Sequence, residues 1–166
     1  MANEIIALIA NLALALSFVV GLIFGIAQVK AAARDRRERF TLETLRNFQT
    51  REFAELIHYM TTSGNMPSNR KEWEALSAND HIIFIQLAQL MESLGMLVAD
   101  KFINIDLVDK TLGSFVTTTW QKYKQIFLSM REQDPFIGEY FQWLAERIEE
   151  RMKESPRKPF YQNSLT

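Results

Sequence analysis

Apolar residues run almost without a break from Ile5 to Val29, and Lys30, Arg34, Arg36, Arg37 and Arg39 follow at once. At about 1.5 Å per helical residue the run reaches roughly 37 Å, more than the hydrocarbon core of about 30 Å, so it spans a bilayer with some tilt. Fifteen of its residues are Leu, Ile, Val or Phe, each favouring insertion by roughly 0.3 to 0.6 kcal/mol near the centre. Their sum of about 4 to 9 kcal/mol exceeds what Asn11, Ser17 and Gln28 subtract.

Beyond the span the apolar spacing is helical nearly everywhere, and no segment alternates with period two for long. The expected fold is all-α: one amino-terminal transmembrane helix followed by an antiparallel helical bundle. The span should continue through the basic stretch into Leu42, Leu45 and Phe48, and then, near Thr50, into Phe53, Leu56, Ile57 and Met60. Gly64 and Pro67, within Ser63 to Asn69, end that arm. Ser77 with Asp80 reads as the cap of a helix to about Lys101, apolar at Ile83, Leu87, Leu90, Leu94, Leu97 and Val98 and widened by Ile82, Phe84 and Ile85. That helix is expected to be the most buried.

Asn104 or Asp106 can cap the next helix, whose stripe is Val108, Leu112, Phe115, Thr119, Tyr123, Phe127 and Met130. Asp134 and Pro135 read as N-cap and first residue of the last helix, where proline costs least. That helix should bury Phe136, Tyr140, Trp143, Leu144, Ile148 and Met152, and Pro156 closes it. The organisation is therefore 1–29 anchor, 30–39 basic juxtamembrane segment, 40–154 helical domain and 155–166 flexible tail.

A cleaved secretory signal also begins with apolar residues. Its marks are missing: the leader Met-Ala-Asn-Glu is acidic, the run exceeds the 7 to 15 residues of a signal core, and charge follows directly. Ala31 to Ala33 is the stretch that imitates a cleavage site. Five cations against Asp35 and Glu38 leave residues 30 to 39 at +3, while Glu4 alone is charged before the span. The positive-inside rule then puts the amino terminus outside and the bulk of the chain in the cytoplasm.

The overall charge of −1, with both signs interspersed, gives no broad basic surface, so no nucleic-acid partner is expected. With no cysteine there is no disulfide, thiol nucleophile or Cys-ligated zinc. Glu55 and His58 have the spacing by which bundles supply di-iron ligands, yet His81 has Ala78 three positions before it, so the second pair is missing and no metal is expected. Gly95, Gly113 and Gly138 are isolated in helical patterns, which suits tight helix crossing rather than a phosphate-cradling loop. Asp100, Asp106 and Asp109 gather near a helix junction, where capping already favours acids. Trp73, Trp120 and Trp143 read as core or interface residues. No catalytic residue and no cofactor are assigned.

Within the span, Ala13, Ser17, Gly21 and Gly25 recur every fourth residue and line one face, on which another helix can approach closely. Asn11 can add an interhelical hydrogen bond worth about 0.6 to 2 kcal/mol. Lys30, Arg34, Arg36, Arg37 and Arg39 are the membrane-interface cations, attracted to anionic lipid and setting the orientation. The expected partners are membrane lipid and, through the transmembrane helix, a second copy or another membrane protein.

The order of elements resembles a family of small bacterial proteins of unknown function with one amino-terminal span and a cytoplasmic helical domain. The likeness rests on the Arg-rich exit from the span, Asn47-Phe48 to Phe53, the phrase Met91-Glu92-Ser93-Leu94-Gly95-Met96-Leu97-Val98, Ile105-Asp106 to Val108, Trp120, and Phe141 to Arg147. It covers residues 5 to about 152 and implies a fold and a topology, with no substrate, cofactor or catalytic residue. The reading that follows is a non-enzymatic interaction module, either an accessory subunit of a membrane complex or a small homo-oligomer. The alternative is a membrane-tethered enzyme or small-ligand sensor with a pocket between cytoplasmic helices. Wrapping of the amphipathic last helix onto the bilayer ranks third, because Glu139, Glu146, Glu149, Glu150 and Glu154 oppose anionic lipid.

Overall fold

The structure, a computed structural model, describes residues 2–62 and 67–156. The helices are α1 Ala2–Arg46, α2 Arg51–Thr62, α3 Arg70–Glu74, α4 Ala78–Ala99, α5 Ile105–Met130 and α6 Glu139–Glu154, with a single 3-10 turn, Asn47–Gln49, before α2. Among the described residues there is no strand, and the protein is all-α. The chain divides into two compact units, Met1–Arg39 and Phe40–Thr166. The arm-ending residues Ser63 to Met66, with Gly64 among them, and tail residues 157–166 lie outside the described residues.

In the first unit α1 keeps its apolar side chains outside: Leu8, Leu14, Phe18 and Phe24 are each about two-thirds exposed or more, from 66% to 72%. The helix is long and apolar enough to cross a membrane, and these side chains form a continuous exposed apolar surface along it.

In the second unit the hydrophobic core is built from Leu45, the Phe53, Leu56 and Met60 face of α2, and α4 to α6. Where α1 ends, Leu45 is buried as its spacing implies, but Leu42 is 55% exposed and Thr41 takes the inward place. The Thr41 hydroxyl accepts from the Asn104 backbone N–H at 2.9 Å, which lets a polar side chain sit fully buried. Thr50 is extended and its hydroxyl accepts from the Phe53 N–H at 3.2 Å, starting α2 where the sequence places the break.

Helix α4 starts at Ser77, whose hydroxyl accepts from the Asp80 N–H and donates to the Asp80 carboxylate. Its buried face is Phe84, Leu87, Met91, Leu94, Gly95 and Val98, while Ile82 and Ile85 are exposed rather than widening it. Although α4 is also apolar enough to cross a membrane, this face packs in the core. The most buried helix is α5, with nine buried residues against six in α4. The long, mixed stripe of α5 faces neighbours on more than one side, which an apolar count along α4 does not register.

Helix α4 ends in a Schellman turn: Phe102 N–H donates to Leu97 O at 2.9 Å and Lys101 N–H to Val98 O at 3.0 Å, with Lys101 at φ 62°. Asn104 then caps α5 by accepting from the Asp106 N–H at 2.8 Å.

The last helix departs from its sequence reading. It begins at Glu139, four residues beyond Pro135, and its N-cap is Gly138 at φ 69°. The Asp134 carboxylate is spent on the Phe136 N–H at 3.0 Å, folding residues 134 to 138 into turns. A Cβ at Gly138 would stand 2.6 Å from the Phe127 ring, so both conformation and space require glycine there rather than a helix-crossing contact. With the start shifted, the buried face becomes Phe141, Leu144, Ala145 and Ile148. Phe136 (69%) and Met152 (44%) are exposed, and Tyr140 and Trp143 are half-buried.

The missing side-chain cap is supplied by another helix. The Glu92 carboxylate of α4 accepts from Tyr140 N–H at 3.1 Å and Phe141 N–H at 3.0 Å, satisfying two of α6's free donors and placing negative charge at its positive end. Three residues on, Gly95 lets Tyr140 approach so closely that a Cβ would stand 2.2 Å from the Tyr140 carbonyl oxygen. Around this crossing Phe84, Trp120, Tyr123, Phe127 and Phe141 stack edge-on or tilted with ring centroids 5.2 to 5.9 Å apart.

Candidate functional site

Small residues on α1 mark out its candidate face. Ala13, Ser17, Gly21 and Gly25 are exposed, and a Cβ built at Gly21 or Gly25 meets nothing within 4 Å. The face is therefore open, with backbone accessible along two turns. Asn11 and Gln28 are likewise exposed.

Beyond it Lys30, Arg34, Arg36, Arg37 and Arg39 are all exposed. Arg34 Nε donates to Glu38 Oε1 at 2.9 Å, one turn on. That hydrogen bond and the attraction of the Glu38 charge hold the Arg34 guanidinium above its ordinary pKa. Arg37 is also engaged.

A second candidate lies in the helical domain. The first turns of α5 and the end of α6 form a polar cleft of about 370 Å³ lined by Asp106, Asp109, Lys110, Arg151, Glu154 and Ser155. Arg151 bridges its sides by donating to Asp106. Two atoms in the wall, Asp109 Oδ1 and Arg151 Nε, are buried without a hydrogen-bond partner. Asp100 stands apart from this wall as the C-cap of α4. Arg151 escapes sequence reasoning because its partner is 45 residues away and neither residue belongs to a motif.

Several other titratable residues are tied into structure. Glu55 is exposed and pairs with Arg51 at 2.7 Å, and His58 beside it is exposed. His81 Nε2 lies 2.7 Å from the Trp73 carbonyl oxygen, with the two rings 4.4 Å apart, so the imidazole joins α3 to α4. Glu72 accepts from the Ser68 N–H and hydroxyl and from the Asn69 amide, which together lower its carboxyl pKa. Tyr123 donates to the Met60 carbonyl at 3.0 Å, and burial pushes its phenol up to about 12. Among the described residues no three His, Asp or Glu side chains gather as a metal set.

A family model described as a domain of unknown function, DUF4760, matches residues 15–148. The chain belongs to this family. No curated protein and no solved structure matches it. The DUF4760 match begins inside the apolar helix and ends in α6. It takes in Ser17, Gly21, Gly25, the five cations from Lys30 to Arg39, Glu92, Gly95 and Gly138, while Ala13 precedes it. It also takes in Asp106, Asp109 and Lys110 but stops before Arg151, Glu154 and Ser155, so half the cleft lining lies outside the DUF4760 span.

Proposed function

We propose that this DUF4760 protein is a non-enzymatic, single-pass protein of the bacterial inner membrane, with its amino terminus outside and its helical domain in the cytoplasm. It acts as an interaction module, an accessory subunit of a membrane complex or a small homo-oligomer assembled through α1. The observation that carries this reading is the open Gly21 and Gly25 face on a helix whose apolar side chains are exposed. In lipid, association depends on close packing and dispersion, and small residues in register permit it. Anionic lipid beside the five cations, at about 1 kcal/mol for each uncompensated charge, supports the stated orientation.

The test is gentle solubilisation of the full-length protein followed by mass measurement of the intact particle. Assembly with a second copy or another membrane protein is expected, and Gly21→Ile with Gly25→Ile should abolish it while the helical domain keeps its unfolding midpoint. A wild-type protein that is always monomeric and partner-free sinks the reading.

The α5 and α6 cleft favours the alternative, a membrane-tethered enzyme or small-ligand sensor, because it holds acids and cations in one polar recess. Arg151→Ala removes the contact with Asp106 across that cleft and leaves the α1 sequence unchanged. A loss of cellular function in that variant, with assembly intact, would favour the alternative over the interaction module.

A further inference from the structure

We draw no further inference here: the strongest candidate, the polar cleft between the first turns of α5 and the end of α6, has Arg151 and Asp106 paired across it and its two unpartnered wall atoms, Asp109 Oδ1 and Arg151 Nε, closed off from solvent, so nothing in the structure shows what it would hold.

Discussion

Gly95 carries a single-atom constraint. A methyl group there would sit 2.2 Å from the backbone oxygen of Tyr140, and backbone cannot swing aside as a flexible side chain can. Gly95→Ala should therefore destabilise the domain by about 1 to 3 kcal/mol despite alanine's better helix propensity. Urea unfolding followed by circular dichroism checks this, and an unchanged or raised midpoint would refute the close approach. The isolated glycine is legible in the sequence as a crossing point. Which atom crosses it is not, because Tyr140 lies 45 residues away and its position depends on where α6 begins. Thr41 shows the same limit: a threonine beside Leu42 reads as surface until the Asn104 N–H is found against its hydroxyl.

Helix α6 shows why the start of an element was the part least accessible to pattern. Asp134 and Pro135 make a sound local N-terminus, yet the helix starts four residues later because Glu92 supplies the cap from α4. Local signals cannot encode an acceptor that arrives from another helix. Glu92→Ala should lower stability by roughly 1.5 to 3 kcal/mol, the range for hydrogen bonds to a charged group. Amide exchange at Tyr140 and Phe141 should rise with it, and Glu92→Gln should lose less because its one acceptor oxygen remains. Unaltered protection at both amides in the alanine variant would show that the carboxylate is not the cap.

The α2 to α5 contact has its own signature. Tyr123 ionises near 10 when unfolded and near 12 when folded, so its contribution is fully present below pH 10 and is lost as the pH rises towards 12. Stability should fall across that window, and Tyr123→Phe should flatten the fall. A variant with the same alkaline slope as wild type would assign the loss to other groups. The stripe containing Tyr123 was legible from spacing, whereas its hydrogen bond to Met60, 63 residues away, was not.

At the scale of the molecule the legible part was the contrast between one bare apolar helix and a domain whose helices hide their apolar faces from each other. Hydrophobic period alone carries that contrast, so the all-α class and the apolar amino-terminal helix followed from sequence. The cleft did not, since it needs the ends of two helices brought together. Because the chain has no cysteine, single reporters can be placed cleanly. In the proposed orientation, Asn3→Cys should react with a membrane-impermeant maleimide on intact cells and Ser155→Cys only after lysis. The reverse pattern would overturn the orientation.

Glu92 also has a bearing on biosynthesis. A ribosome delivers the apolar α1 early and residues 140 and 141 late, so the carboxylate waits for its two amides while α1, in the proposed topology, already enters the bilayer. Insertion would then precede closure of the domain, and translation stalled before α6 should leave an anchored chain with its aromatic crossing unsealed and open to chaperones.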